Sequence, residues 1–203
     1  MDIAEIFEGI EGVANAQDDI IVWGDNEEVH DQRLREVLSR IKDFGLKLNR
    51  EKCQFHVNQV IFLGHVLSGE GVYADPRKIS AIIDMPNPEN KVELQRFLGM
   101  CNYLGKFMPD FANVTAPLRC LLEKNIPWHF EKEQECAIKK IKDIVTSAPV
   151  LKYFNSKDPI KVTSDSSKLG LGAVLQQKEE GQWKPVAYAS RSLTQSEQNY
   201  AQI

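Results

Sequence analysis

The chain is poor in cysteine, with four in 203 residues (Cys53, Cys101, Cys120 and Cys136) and no CxxC pair among them. That spacing excludes a disulfide framework and the usual structural zinc patterns, and it predicts reduced thiols. Long apolar runs are missing too; none approaches the ~18 residues of a membrane-spanning helix. The opening residues, Met1-Asp-Ile-Ala-Glu-Ile-Phe7, lack the basic and apolar regions of a secretory signal. An intracellular protein is therefore expected, cytoplasmic or nuclear and not secreted. No internal repeat and no low-complexity tract interrupts the chain. Excess positive charge is also lacking, since the formal net charge is −4. The charge is unevenly spread, however. Residues 1–75 hold 7 Lys+Arg against 15 Asp+Glu, whereas 76–150 hold 11 against 9 and 151–203 hold 7 against 5. The acid is concentrated at the front, where metal-binding carboxylates would stand. The mildly basic remainder permits a polyanion partner.

A hydrophobic content of 42% and a charged content of 27% are ordinary for a globular chain, and the length suits one large or two small domains. Residues 3–12 read as a short helix closed by Gly12. Val13 to Gln17 and Ile20 to Trp23 are β-prone runs around Asp18-Asp19, which reads as a hairpin. Asp25 or Asn26 can cap the next helix, whose Leu34, Val37, Leu38, Ile41 and Phe44 form an apolar stripe ended by Gly45. Leu46 to Phe55 reads as extended. A second hairpin has one strand over Val60 to Leu67, a turn at 68–71, and Val72-Tyr73 returning.

Asp75-Pro76 opens a helix, with Asp75 as cap and Pro76 at the first helical position. From Lys91 to Met108, the residues Leu94, Phe97, Leu98, Cys101, Leu104 and Met108 trace one helical face. Further helices are expected over 111–123 and around Ala137 to Val145, with a loop at Pro127-Trp128 between them. The end is β-rich: strands at Ile160 to Ser164, Gly170 to Gln177 and Lys184 to Ser190, with Gly181 in the last turn. Thr194-Gln-Ser-Glu197 is a capping box, so a helix starts near 195 and runs to Ile203.

The residues with the clearest chemistry are Asp18 and Asp19. Adjacent carboxylates repel one another unless a cation offsets them. Magnesium favours a few carboxylates plus substrate phosphates, and paired ions serve in-line displacement at phosphorus. As an isolated dipeptide the pair reads first as a solvated turn, because Asp is a common turn residue. Its surroundings change that reading. Asp-Asp-Ile-Ile-Val-Trp-Gly (18–24), Phe44-Gly-Leu-Lys-Leu-Asn49, Lys52-Cys-Gln-Phe55 and Phe62-Leu-Gly-His-Val-Leu-Ser68 occur in this order. So do Asp75-Pro76, Met85-Pro86, Phe97-Leu-Gly-Met100, Asn102-Tyr103-Leu104 and Ala148-Pro149-Val150-Leu151. Gly170-Leu-Gly-Ala-Val-Leu175 and Val186-Ala-Tyr-Ala-Ser-Arg-Ser-Leu-Thr194 complete the series. Over nearly its whole length the chain resembles the polyproteins of Ty3/gypsy-class long-terminal-repeat retrotransposons, from the reverse transcriptase into the start of RNase H.

This resemblance implies an α+β fold: the C-terminal part of a reverse transcriptase palm, a helical thumb, then a partial RNase H-like mixed sheet. The implied divisions are 1–75 for the palm part with its primer-grip hairpin, 76–125 for the thumb, 126–157 for the connection, and 158–203 for a truncated RNase H-like domain. Asp18 and Asp19 match the polymerase aspartate pair and Asp165 the first RNase H carboxylate, each a catalytic Mg2+ ligand. Lys52 matches a general acid for the pyrophosphate leaving group. Phe62, Leu63, Gly64 and His65 match the primer grip, where Gly64 would let backbone approach a nucleic-acid strand. In the thumb, Lys91, Gln95, Arg96, Asn102 and Lys106 suit phosphate contacts, and equally a solvated helix face. The implied partners are a DNA duplex template–primer or an RNA–DNA hybrid, dNTP in the parent enzyme, the remaining polyprotein segments, and no membrane.

Two departures bear on activity. The family has Tyr or another bulky residue two positions before the pair, where this chain has Ala16, which is expected to weaken synthesis. The family also places a further polymerase aspartate well upstream of Asp18 and a second RNase H carboxylate just beyond Ile203. Both two-metal sites are therefore expected to be incomplete in these 203 residues, leaving the isolated chain without activity. An alternative stays open, that of a non-enzymatic degenerate or domesticated remnant serving as a nucleic-acid-binding or interaction module.

Overall fold

Asn26 and Asp75 act as the caps their positions predict. In a computed structural model describing residues 3–199, the Asn26 side chain accepts from the Val29 N–H at 2.9 Å and the Asp75 carboxylate from the Arg77 N–H at 2.9 Å. The described residues form two compact units that divide between Leu63 and Gly64.

The first unit begins with α1 (Ile3–Ile6), shorter than the helix expected to reach Gly12 because the chain turns left-handed at Gly9 (φ 83°). The strands β1 (Val13–Ala16) and β2 (Asp19–Val22) pair antiparallel, with Val13 opposite Val22 and Ala16 opposite Asp19. Helix α2 (Glu27–Asp43) lays Val37 and Ile41 against Ile6, Phe7 and Ile10, with Val13, Ile20, Val22 and Leu46 packed around them. Leu38 and Phe44, expected on the same stripe, are exposed instead. Arg40 of α2 donates to the carbonyls of Ile6 (2.8 Å) and Glu8 (2.9 Å), tying the helix to the entering chain. The extended stretch expected over Leu46 to Phe55 is no strand. Asn49 folds it locally, its side chain accepting from the Glu51 N–H at 3.0 Å and its carbonyl from the Lys52 N–H at 3.0 Å. Such side-chain-to-backbone bonds compete with a ladder, and a turn results.

β3 (Gln59–Phe62) closes the first unit, and β4 (His65–Ser68) opens the second. The single strand expected over Val60 to Leu67 is thus broken. Leu63 (φ 48°) and Gly64 (φ 68°) both take left-handed backbone, a conformation that ends a strand and that glycine bears more readily than leucine. β4 pairs with β5 (Gly71–Ala74) through the expected tight turn. Gly71 is needed there: at φ 143°, a β-carbon would stand 2.5 Å from the Leu151 carbonyl oxygen. That closeness lets Val72 and Leu151 exchange backbone bonds of 2.8 and 2.9 Å.

Helices α3 (Pro76–Ile83), α4 (Lys91–Tyr103), α5 (Phe111–Cys120) and α6 (Lys132–Thr146) build the main core. Leu94, Phe97, Leu98, Cys101, Leu104 and Met108 are all buried, as the stripe predicts. The helix itself stops at Tyr103, however, and a 3-10 turn over Gly105–Phe107 carries the chain on to Met108. Burial pushes the Cys101 thiol up to about 12, an inert core group.

β6 (Ile160–Ser166), β7 (Gly170–Glu179) and β8 (Gln182–Ser192) form an antiparallel sheet in that order. Glu180 (φ 49°) and Gly181 (φ 85°) supply the left-handed pair that a two-residue hairpin requires. The sheet meets α5 at Gly170, where a β-carbon would lie 2.7 Å from that of Ala112. The Ala112 N–H also donates to the Ser190 hydroxyl at 2.9 Å. Buried Gln177 accepts from the Asn155 N–H (2.8 Å) and donates to the Asn155 carbonyl (2.6 Å), fastening the approach to β6 onto β7. α7 (Gln195–Gln198) starts with both halves of the capping box formed. The rest of that expected helix, 200–203, lies outside the described residues. Among the described residues, no helix is long and apolar enough to cross a membrane.

Candidate functional site

The β1–β2 register assigns the acidic pair its setting. With Ala16 opposite Asp19, the two-residue turn is Gln17-Asp18, and Asp19 is the first residue of β2. Gln17 takes left-handed backbone (φ 53°) to make the turn, and Asp18 and Asp19 are both exposed. Side chains alternate along a strand, and cross-strand partners share a face. Val13, Asn15, Ile20 and Val22 therefore share one face, and three of these four pack on the unit's core. Asp19 stands on the other face with Ala14, Ala16 and Ile21. The small Ala14 and Ala16 leave the approach to Asp19 open. The result is a hard-oxygen donor pair on an accessible turn, a donor set suited to Mg2+. Lys52 is exposed on the irregular segment that Asn49 organises.

In the second unit, Gly64 and His65 meet residues that sequence patterns give little reason to group. A β-carbon on Gly64 would stand 2.1 Å from the Tyr103 hydroxyl and 3.0 Å from Lys78 Cε, so the close backbone approach at Gly64 is made to these side chains. Lys78 Nζ lies 3.9 Å from the Tyr103 ring centre. His65 stacks on Tyr103 at 5.4 Å and tilts against Phe107 at 5.5 Å. Its Nδ1 is buried without a hydrogen-bond partner. Burial, then the nearby ammonium groups of Lys106 and Lys78, push the His65 pKa down to about 4. Phe62 is half-buried and Leu63 is 61% exposed. Tyr103 was legible as part of a motif; Lys78 and Phe107 carried no signal beyond their helical positions.

That lowered pKa has a consequence for stability. Between pH 6.5 and about 4 the unfolded chain binds a proton at His65 that the folded chain does not. The His65 contribution is therefore complete above pH 6.5 and is lost as pH falls toward 4. Urea midpoints measured across this window should fall less steeply for His65→Phe than for the parent, since phenylalanine keeps the ring packing without a titrating group.

Of the residues expected to suit phosphate contacts, Gln95 and Arg96 are exposed. The others are engaged within the protein. Lys91 donates to the Glu123 carbonyl at 2.6 Å, Asn102 accepts from Arg119 at 3.3 Å, and burial lowers the Lys106 pKa.

Asp165 is exposed on β6, opposite Gly172 of β7. Its carboxylate accepts from the Ser166 N–H at 2.9 Å. Gly172 has no side chain to cover it, and a β-carbon there would meet open space, unlike the close packing at Gly170. Among the described residues, neither Asp18-Asp19 nor Asp165 belongs to a cluster of three or more His, Cys, Asp or Glu side chains.

Comparison with known proteins gives this geometry a family. The profile for reverse transcriptase (RNA-dependent DNA polymerase) matches residues 17–67, and that for the RNase H-like domain found in reverse transcriptase matches 130–203. The retrovirus-related Pol polyprotein from transposon opus of Drosophila melanogaster is 37% identical over 197 residues, covering 92% of this chain and 20% of that polyprotein. The transposon Tf2-3 polyprotein of Schizosaccharomyces pombe is 36% identical over 185 residues, covering 91% and 14%. The chain thus spans about a fifth or less of the length of these curated relatives. The foamy viral protease-reverse transcriptase, solved with double-stranded DNA, shares the fold at a TM-score of 0.87 and 23% identity, covering 98% of this chain and 35% of that one. The foamy viral protease-reverse transcriptase solved with an RNA/DNA hybrid gives 0.84 and 24%, covering 98% of this chain and 27% of that one. The α+β architecture is accordingly that of reverse transcriptases, and the chain belongs to the reverse transcriptase–RNase H region of Ty3/gypsy-class retrotransposon polyproteins.

Proposed function

We propose that this chain is the part of a retrotransposon RNA-directed DNA polymerase that joins polymerase to RNase H and holds a template–primer duplex or RNA–DNA hybrid. The observation that carries this reading is Asp18-Asp19 on an open hairpin turn, with Asp19 on the face turned from the core beside Ala14 and Ala16. In this reading 1–75 is palm, 76–125 thumb, 126–157 connection and 158–203 the beginning of RNase H. Asp18 and Asp19 are the residues that would hold Mg2+ for an incoming dNTP, Asp18 the more directly. An ion held there would supply the positive charge that favours deprotonation of the primer hydroxyl and departure of the pyrophosphate. Lys52 protonates that pyrophosphate, and its exposure leaves it free to reach substrate. Phe62, Leu63, Gly64 and His65 hold the primer end, with Tyr103 and Phe107 fixing the His65 ring. Asp165 holds Mg2+ for hydrolysis of the RNA strand. Ala16 supplies less contact at the nucleotide than a bulky residue would, which lowers synthesis.

We also infer that these 203 residues alone turn over neither substrate. Two carboxylates at one site and one at the other hold Mg2+ weakly, and in-line displacement depends on its placement. Purified chain with Mg2+ should extend no primer and cut no RNA–DNA hybrid. Metal-dependent turnover in either assay, abolished by Asp18→Asn or Asp165→Asn, would show that the site is complete without further residues.

A further inference from the structure

Within the first unit, and apart from the Asp18-Asp19 hairpin, His30, Asp31 and His56 each bring one possible ligand atom to within 4.8 Å of the others. Asp31 Oδ1 lies 3.1 Å from His30 Nδ1 and 3.6 Å from His56 Nε2. Donors at ~2.0–2.1 Å from a tetrahedral zinc stand about 3.3 Å from one another, so both separations are close to the edge of that polyhedron. The other ring nitrogen of His56, Nδ1, faces Glu27 Oε1 at 3.6 Å. A carboxylate behind a ligating imidazole is the arrangement that orients the ring and raises its basicity. The side chains of His30, Asp31 and His56 are 22, 32 and 52% exposed, so one side of the cluster is open for a water ligand.

The backbone converges on the same place from two directions. Glu27, His30 and Asp31 stand in the first turns of α2, where the His30 N–H donates to the Asn26 carbonyl at 3.0 Å. His56 comes from the irregular stretch before β3 and is held at φ 52°, a conformation that a residue with a β-carbon adopts at a cost.

We propose that His30, Asp31 and His56 bind a divalent transition ion of the zinc class, with Glu27 orienting His56 and water completing the shell. Two imidazoles and one carboxylate favour zinc over Mg2+, which prefers oxygen donors and keeps its waters. The site is therefore distinct in chemistry from the Asp18-Asp19 pair. Occupied, it fastens the segment carrying Lys52 to the start of α2 without adding a bond anywhere in the main core.

The test uses the full 203-residue chain, stripped of metal by a chelator and titrated with Zn2+ by calorimetry and with Co2+ by visible absorption. The expected result is one equivalent bound, with the d–d bands of a low-coordinate Co2+ and no thiolate charge-transfer band. His30→Ala and His56→Ala should each weaken binding by about a hundredfold or more, and Glu27→Gln by about tenfold, with unchanged circular dichroism. Zinc at about a hundred times the parent's dissociation constant should raise the thermal midpoint of the parent by several degrees and that of His56→Ala by far less. Glu27 sits on the exposed rim, so its variant remains informative if either histidine variant folds poorly. The proposal is overturned by the absence of saturable binding below about 100 μM Zn2+, an affinity already weak for a three-ligand site. It is equally overturned if binding survives both histidine replacements, or if a thiolate band traces the ion to the cysteines.

Discussion

Asp18→Asn, placed in a complete polyprotein enzyme carrying this segment, is expected to lower primer extension by about a thousandfold or more, corresponding to roughly 4 kcal/mol of lost transition-state stabilisation. Hybrid cleavage by the same preparation should change little. The reciprocal variant, Asp165→Asn, should abolish cleavage and spare synthesis. The substitution is nearly isosteric, so the hairpin has no reason to rearrange. Asp18 is exposed in a turn and bears no part of the core. Only the negative charge is lost, and with it the main attraction for a divalent cation. A solvated turn residue would give the opposite outcome, with both activities unchanged, since surface substitutions away from special features act within about 0.5 kcal/mol.

The largest effect on stability should come from Phe97→Ala. Phe97 is fully buried on α4 in the main core, in one cluster with Leu94, Cys101, Phe107, Leu118 and Ile141. Truncating a buried phenylalanine removes its transfer free energy and leaves a cavity, together about 3–5 kcal/mol. Total stabilities of domains are only about 5–15 kcal/mol, so this one change takes a large share. Urea unfolding should show a much lower midpoint with an unchanged slope. Val92→Ala, on the same helix but 73% exposed, is the control and should leave the midpoint nearly where it was.

Phe97 also illustrates what periodicity can reveal. All six stripe residues from Leu94 to Met108 proved buried: the four on α4 because a helix that meets a core must put its apolar face there, and Leu104 and Met108 at either end of the 3-10 turn that follows. The caps at Asn26, Asp75 and Thr194 were equally legible, since each depends on a side chain and an N–H two or three residues away. The breaks were harder to read. Nothing apolar or polar in Val60 to Leu67 distinguishes a long strand from two short ones; the left-handed pair Leu63-Gly64 decides it. Asn49 likewise converts an apparently extended stretch into a turn through bonds that no period predicts.

The candidate site divides along the same line. Asp18-Asp19 could be singled out because the pair stands within an ordered series of motifs that resembles a reverse transcriptase; by itself the dipeptide reads as a solvated turn. The packing of Lys78, Tyr103 and Phe107 around Gly64 and His65 is a property of the folded chain, visible only once β4 and α4 are in place. His30 and Asp31 are neighbours on α2, but the rest of that helix and an irregular stretch separate them from His56, and no regular spacing joins His56 to the other two.

The most direct test of the central claim is a Mg2+ titration of the isotope-labelled 203-residue chain followed by amide chemical shifts. A weak, saturable response concentrated at Gln17 to Ile20 is expected, and it should disappear in Asp18→Asn. Shifts spread evenly over the acidic first 75 residues, or a response at Gln17 to Ile20 that survives loss of the Asp18 charge, would contradict that claim.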